Sequence, residues 1–278
     1  MTFHYSIAEI VPYINWVYFY HAWGVSSRPE AEHRQLRAEA MERLQRYAER
    51  YQTHAAFLLS DAYSDGDDVV VLVGDAKGGE KVVRIPFLRQ QQQGSQCLCL
   101  ADFIAPFGSC DAPRSSHQIG IFATTVDHGF ESDFNDDPYE KMMMQLLADR
   151  LAEATAEVLH QDVRRRLWGY ATDEQLSVDE LLSERWQGIR PAVGYPSLPD
   201  TSLNFLIDQL IDMAQIGIRL TESGAMKPHA SVSGLMIAHP AARYFTVGPI
   251  SAGQLEDYAH RRGLPLQLMQ KFLASNLQ

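Results

Sequence analysis

The amino-acid sequence predicts an α+β fold built on an antiparallel β-sheet, and three observations support this prediction. The hydrophobic pattern changes in blocks, from helix to strands to helices to strands and back to helices, without the regular alternation of a parallel sheet. Turn-forming residues at 64–67 and 77–79 separate consecutive strand-like segments, which favours antiparallel pairing. No internal repeat and no clear linker divides the chain, so residues 1–278 are treated as one domain.

Composition and charge exclude several classes of protein. The chain is 46% hydrophobic and carries a formal net charge of -11, which repels polyanions, so we expect no nucleic-acid partner. No apolar run reaches the roughly 18–20 residues that a membrane-spanning helix needs, and the N-terminus lacks a basic region. The sequence therefore predicts a cytoplasmic protein without membrane contact. The three cysteines lack the spacing of a zinc site and are interpreted as structural thiols, two of them on one face of a strand.

Helical elements are predicted from periodicity and capping signals. An aromatic-rich segment, residues 13–24, is interpreted as core packing. A long helix begins near Pro138 and runs toward Trp168, where three arginines are interpreted as a solvated helix end. Capping boxes at Ser177 and Ser251 each open a further helix. The remaining helical predictions are an amphipathic helix over residues 29–51, an apolar stripe over residues 203–214 and a terminal helix from Pro265.

Strand-like segments fall into two groups, one on each side of the long helix. They are rich in β-branched and aromatic residues and are bounded by turn signals. The first group comprises residues 69–73, 82–87, 97–104 and 119–125, and the second comprises residues 218–221, 231–238 and 243–247.

The segment Arg190-Pro191-Ala192-Val193-Gly194-Tyr195-Pro196 carries the strongest chemical signal. A guanidinium presents a planar fork that pairs bidentately with a carboxylate such as that of an amino-acid-like ligand. The prolines stiffen the segment, and Gly194 allows the backbone to approach a ligand closely. From these residues alone, a structural turn is favoured over a ligand cradle.

Three carboxylates share one face of the long helix, since Asp149, Glu153 and Glu157 are spaced by four residues. Two interpretations stay open: a solvated acidic face, or a face that meets a cation or hydrogen-bond donor of a ligand or partner. The rings of Tyr244 and Phe245 offer cation–π attraction or stacking on a base.

Several well-known motifs are absent from the sequence. There is no Gly-x-Gly-x-x-Gly between a strand and a helix, no phosphate-binding Gly-Lys-Ser/Thr loop and no His-Glu-x-x-His. His229, His239 and His260 are isolated from one another, so no metal site is predicted.

Several short sequence motifs, in this order along the chain, resemble those of the activation domain of cobalamin-dependent methionine synthase. They are Leu98 to Phe103, Trp168-Gly169-Tyr170, the Arg190 segment, Leu220 to Ser223, Ser231 to Gly234 and Glu256 to Ala259. The similarity is weak over residues 1–60 and strongest over residues 138–278. The resemblance implies a C-shaped α+β domain with a twisted antiparallel sheet and flanking helices, which binds S-adenosylmethionine on its inner surface.

The resemblance also implies roles for individual residues. Arg190 would hold the carboxylate of the ligand, and Glu153 would lie beside the ligand. Asp149 falls where the family's domain contacts its corrin-binding module, and no residue has a catalytic role. The other implied ligand-binding residues are Asn15, Ala192, Gly194, Tyr195, Tyr244 and Phe245.

Two positions depart from the family pattern. The family commonly has Asp where this chain has Asn15, and often Tyr where it has Phe245. An amide in place of a carboxylate weakens attraction for the ammonium and sulfonium charges of S-adenosylmethionine. We therefore expect a lower affinity than the motif alone indicates.

The function implied by the resemblance is reductive reactivation within methionine biosynthesis. The chain would be a component of the methyltransferase rather than a complete enzyme. It would bind S-adenosylmethionine, while cobalamin comes from a separate methionine synthase core that lacks its own activation domain and flavodoxin or a similar donor supplies the electron. Two alternatives remain: a non-catalytic sensor or binding module for a corrinoid protein or S-adenosylmethionine, and a reactivation partner of another corrinoid methyltransferase.

Overall fold

An antiparallel sheet forms the centre of the molecule. A computed structural model describes residues 1–74, 80–91, 96–110, 112–134 and 136–277. The strands within these residues are β1 (Thr2–Ser6), β2 (Gln52–Asp65), β3 (Asp68–Gly74), β4 (Glu80–Pro86), β5 (Gln118–Val126), β6 (Arg219–Leu220), β7 (Met226–Lys227) and β8 (Ser231–Met236). The order across the main sheet is β4-β3-β2-β5-β8, with β1 also paired to β2, and β6 and β7 form a separate ribbon.

Every strand pair in the main sheet is antiparallel, so the predicted α+β class is confirmed. The long strand β2 organises the pairing, because β1 pairs with its first half and β3 with its end, while β5 pairs with most of its length. A two-residue turn at Gly66 and Asp67 joins β2 to β3, as the sequence predicts. The turn predicted at residues 77–79 lies outside the described residues.

Helices cover both faces of the sheet. Those in the described residues are α1 (Ile7–Ile10), α2 (Trp16–Ala22), α3 (Glu30–Tyr47), α4 (Gly129–Ser132), α5 (Pro138–Asp162), α6 (Val178–Leu182), α7 (Leu203–Ile211), α8 (Ala252–Arg262) and α9 (Leu266–Phe272). None of these helices combines the length and the apolar character that crossing a membrane requires.

The central strand β5 is buried on both faces, which explains its continuous apolar sequence. Ile119 and Ile121 pack into the cluster that also contains residues of α7. Phe122 points to the opposite face, where it packs with Leu159 of α5. On that same face the hydroxyl of Thr124 donates a hydrogen bond of 2.9 Å to a carbonyl in α5. The sheet therefore fixes the position of α5.

Capping residues set the ends of the helices much as the sequence predicts. The carboxylate of Asp137 accepts from two backbone N–H groups at the start of α5, directly before Pro138. The capping box at Ser177 is complete. At Ser251 only half of the predicted box forms. The side chain of Gln254 is instead hydrogen-bonded to the backbone of Arg89, at 2.8 and 3.0 Å.

Two predicted strands are wrong. Residues 97–104 contain a 3₁₀ turn, Leu100–Phe103, in place of a strand. The reason is Asp102, whose carboxylate accepts from the backbone N–H of Cys99 and pairs with Arg89 at 2.6 Å, which bends the chain. Residues 243–247 form no strand either, because prolines and a glycine flank them and their contacts are single hydrogen bonds to loops.

The prediction that the three arginines at the end of α5 are solvated is also wrong for one of them. The helix continues as a π-helical turn, Val163–Leu167, in which Arg165 and Arg166 are exposed and Arg164 is fully buried. Arg164 forms two hydrogen bonds of 2.7 Å with the carboxylate of Glu174. A buried guanidinium requires such a partner, and nothing in the spacing of the sequence pointed to Glu174.

The segment before and within the Arg190 loop lies along the free edge of β8. The backbone of Ile189 exchanges two hydrogen bonds of 2.9 Å with Ile237, and Val193 donates to Ser233 at 2.9 Å. Gly234 makes this approach possible, since a Cβ atom there would lie 2.3 Å from the carbonyl oxygen of Pro191. The glycine thus allows the loop to dock on the sheet.

We predict that Gly234→Ala destabilises the protein by about 1–3 kcal/mol, because the added methyl group forces the loop off β8. Gly253→Ala is the matched control: Gly253 lies in α8 with nothing near its missing Cβ, and Ala there stabilises a helix. Urea unfolding of both variants measures the difference. Equal stability of the two variants would contradict this account of the loop.

Candidate ligand-binding site

A cavity of about 700 Å³ opens between α2, α5 and the loop that begins at Arg190. We call this cavity the cleft. Residues 244–246 form its remaining wall. Its size lies in the range of small-molecule sites, roughly 300–1,000 Å³. The cleft brings together residues from the N-terminal, central and C-terminal parts of the chain.

Arg190 is held at the cleft by two acceptors on α5. One of its terminal nitrogens donates to the carbonyl oxygen of Ala156 at 3.0 Å, and the other forms a short ion pair with Glu157. Burial opposes its charge, but the Glu157 carboxylate holds the pKa of Arg190 above its usual value. A guanidinium has five N–H donors. Within the described part of the chain, its hydrogen-bond acceptors are these two groups, so donors remain for a ligand anion.

The backbone of the Arg190 loop gives the cleft its second side. Gly194 has a φ of +89°, a conformation that favours glycine. Its N–H donates to the carbonyl of Leu198 at 2.8 Å, which closes a tight turn. Ala192 and Tyr195 line the cleft, whereas Gly194 shapes the turn without lining it.

The carboxylates on α5 do meet cations, but these cations belong to the chain itself. Glu157 pairs with Arg190, and Glu153 pairs with Arg150 at 2.8 Å. Glu153 also accepts a hydrogen bond of 3.2 Å from the hydroxyl of Tyr195. Of the two interpretations of this acidic face, the solvated one is wrong for Glu157, whose side chain is only 14% exposed.

Asp149 lies outside the lining of the cleft. It faces His229, with 3.7 Å between Oδ1 and Nδ1. Burial raises the pKa of Asp149, and His229 acts in the opposite direction. The structure therefore places Asp149 apart from the residues that line the cleft.

Tyrosine rings surround the cleft. The hydroxyl of Tyr244 accepts a hydrogen bond of 2.9 Å from the backbone N–H of Arg190, which ties the 244–246 wall to the loop. Burial, followed by the charge of Glu153, raises the pKa of Tyr195 to about 12, so its phenol is neutral and donates. Tyr18 and Tyr195 each keep more than half of their surface exposed. Their rings offer apolar area to an incoming ligand.

Asn15 and Phe245 also line the cleft. Asn15 is the N-cap of α2, where its side-chain oxygen accepts from the backbone N–H of Val17 at 3.2 Å. Seven of the eight predicted ligand-binding residues thus line one cavity, although they are distributed over more than 200 positions of sequence.

Within the described residues, no group of three or more His, Cys, Asp or Glu side chains is placed to hold a metal ion. Cys97 and Cys99 do not share the face of a strand, since the strand predicted there does not form. Cys99 is buried, and burial raises the pKa of its thiol to about 12.

The chain is similar to proteins of one known family over almost its whole length. Residues 6–263 match the family model described as "Vitamin B12 dependent methionine synthase, activation domain". The chain belongs to this family. A solved structure described as "Crystal Structure of the MetH Reactivation Domain bound to AdoHcy" is 35% identical in sequence, with a TM-score of 0.86. That match covers 100% of this chain and 90% of the other. The family prediction is confirmed.

The activation domain has further cleft residues that the sequence analysis did not assign to the site. Tyr18 had been assigned to core packing and Glu157 only to an acidic face, while Glu184 was not singled out. Glu184 has a φ of 56°, a strained value for a residue other than glycine. Burial raises the pKa of its carboxyl, against the lowering effect of Arg190. The sequence does not show which residues have a strained backbone, so Glu184 could be assigned to the cleft only from the folded structure.

A buried histidine lies behind the cleft. The ring of His160 is fully buried, and one nitrogen is 3.3 Å from the hydroxyl of Tyr170. Burial first, and then the positive charges of Arg190 and Arg164, hold the pKa of His160 well below 6.5. His160 is therefore neutral in the folded activation domain.

We predict that His160 makes the folded state sensitive to acid. Above pH 6.5 the imidazole of His160 is neutral in both the folded and the unfolded protein. Below pH 6.5 this imidazole binds a proton in the unfolded chain but not in the folded chain. Stability present at neutral pH is therefore lost as the pH falls, by about 1.4 kcal/mol per pH unit from this group. His160→Gln should reduce that slope between about pH 6.5 and pH 5 in urea unfolding. An unchanged slope would contradict the neutral assignment.

Proposed function

We propose that this activation domain binds S-adenosylmethionine in the cleft and presents it to a corrinoid protein. The observation that carries the proposal is the position of Arg190, which is held at the cleft by Glu157, Ala156 and Tyr244 with N–H donors still available. Binding of AdoHcy by the 35% identical reactivation domain supports the same ligand class.

The cleft residues fit an amino-acid sulfonium ligand. Arg190 would pair with the carboxylate of its amino-acid end. A buried oxygen of Glu157, Oε2, has no hydrogen-bond partner among the described residues, so an acceptor remains for the ammonium group of the ligand. Glu153 adds a second carboxylate, and the exposed rings of Tyr18 and Tyr195 offer faces for a sulfonium or a base.

The chain's own contribution is binding and orientation. When bound, S-adenosylmethionine supplies an electrophilic methyl group, and a corrinoid held by a partner protein is the acceptor. Arg190, Glu157 and Tyr195 are each fixed by at least one hydrogen bond within the chain, so they orient the ligand without first having to be ordered. None of these residues needs to move a proton, because the acceptor is itself the nucleophile.

The partners follow from this role and are part of the proposal. We propose that a cobalamin-dependent methionine synthase core provides the corrinoid and that flavodoxin or a similar protein provides the electron. The surface around the cleft carries exposed aromatic rings, Tyr18 and Tyr195, and the acidic Asp149 lies beside it. Exposed aromatic rings are enriched where proteins contact one another, and polar groups are common at the rim of such contacts.

We predict that Arg190→Met weakens S-adenosylmethionine binding by roughly 10- to 100-fold, because a charge-assisted contact to the carboxylate is lost. Isothermal titration calorimetry measures the effect. Arg185→Met is the matched control, since Arg185 is exposed, lies close in sequence and does not line the cleft. Arg190→Lys, which keeps the charge beside Glu157, shows whether a folding defect is responsible. Absence of binding by the wild-type domain would refute the ligand assignment.

A second experiment tests reactivation. The domain is added to a corrinoid methyltransferase core trapped as cobalt(II), with S-adenosylmethionine and reduced flavodoxin. We expect methyltransferase turnover to return with the wild-type domain and not with Arg190→Met. Binding without restored turnover would favour the non-catalytic sensor, an alternative supported by the neutral Asn15 at the cleft.

A further inference from the structure

Two guanidinium groups contact the same indole ring behind the cleft. The Cζ atom of Arg164 lies 4.9 Å from the ring centroid of Trp186, and that of Arg190 lies 5.7 Å from it. His160 meets the same ring edge-on, with a centroid distance of 5.3 Å and an interplanar angle of 83°. Trp186 is only 9% exposed. The indole is therefore a buried side chain that contacts two cations and an imidazole.

We propose that Trp186 is a positioning residue, which holds the Arg190 guanidinium in the orientation that meets the carboxylate of the ligand. The inference rests on the proposed function, since it concerns how the same site recognises one end of S-adenosylmethionine. Trp186 does not line the cleft and acts through Arg190.

Arg190 needs such a support because its other contacts hold only part of the group. Ala156 and Glu157 accept from its two terminal nitrogens, and Tyr244 accepts from its backbone N–H. Two hydrogen bonds from the terminal nitrogens constrain the tilt of the guanidinium plane less than a group packed against its face does. An aromatic ring beside the cation restricts this motion and attracts the positive charge.

The second guanidinium supports the indole from within the core. Arg164 is fully buried, and its charge is matched by two hydrogen bonds to Glu174. Burying an ion pair adds little to stability, since the desolvation cost offsets the attraction. Arg164 lies in the π-helical turn Val163–Leu167, a distortion frequent at functional sites. His160 is neutral, so it adds no further positive charge beside the indole.

The backbone between Trp186 and Arg190 is fixed as well. Gly188 has a φ of +87°, and a Cβ atom there would lie 2.3 Å from the carbonyl oxygen of Ile237. The side chain of Gln187 donates to the carbonyl of Ala238 at 2.9 Å. The segment is therefore held against the end of β8, and the indole has a defined place relative to Arg190.

The experiment compares two ligands that differ in the carboxylate. Calorimetry measures binding of S-adenosylmethionine and of its decarboxylated form by Trp186→Leu and Trp186→Phe. We expect Trp186→Leu to lose about 10-fold in affinity for S-adenosylmethionine and Trp186→Phe about 3-fold, because Phe keeps an aromatic face. Affinity for the decarboxylated ligand, already lower in the wild type, should not change in either variant.

Trp23→Leu is the matched control, because Trp23 is partly buried against Tyr139 and does not line the cleft. It should bind both ligands as the wild type does.

Equal losses of affinity for both ligands in Trp186→Leu, or no loss for either ligand, would overturn the inference while leaving the proposed function intact. If Trp186→Leu does not fold, Trp186→Phe decides by the same comparison. A wild-type domain that fails to bind S-adenosylmethionine would instead refute the proposed function.

Discussion

The contact between Arg190 and Glu157 is the constraint on which the cleft depends. It joins the loop to α5 inside the protein, where an ion pair is costly unless both partners are well bonded. The carbonyl of Ala156 and the hydroxyl of Tyr244 provide the additional bonds. Without Glu157, a buried guanidinium would repel the cationic part of a ligand. With Glu157 in place, the positive charge of Arg190 is balanced by an adjacent negative charge.

The sheet makes this contact possible by placing both partners. Strand β5 packs against α5 on one face, and strand β8, the neighbour of β5, carries the Arg190 loop along its free edge. Gly234 and Gly188 let the loop backbone come within hydrogen-bonding distance of β8. Glycines at two positions therefore allow the loop to dock on β8. The charged groups then meet at the bottom of a space that the backbone has already defined.

Local signals in the sequence were sufficient for the class of fold and for most of the helix boundaries. Pro138 and Ser177 begin helices because their local chemistry is decisive. The failures occurred where long-range partners override local preference. The segment at residues 97–104 bends because Asp102 meets Arg89, and Arg164 is buried because Glu174 lies beside it.

The site itself was predicted in part. From its residues alone the Arg190 segment favoured a structural turn, and the family resemblance pointed instead to a ligand site that also includes Asn15, Glu153 and Tyr244. Trp186 and Glu184 had no such signal. Their roles depend on which side chains surround them, and only the folded chain contains that information.

The two sides of the cleft are built from different kinds of structure, and this has a consequence for ligand choice. Helix α5 is held by the sheet and by the N-terminal helices, so its carboxylates form a rigid boundary. Residues 244–246 lie in a segment without regular secondary structure, tied to its neighbours by individual hydrogen bonds. We therefore expect the cleft to be strict about the charged end of a molecule and more permissive about the bulk that lies against the irregular wall.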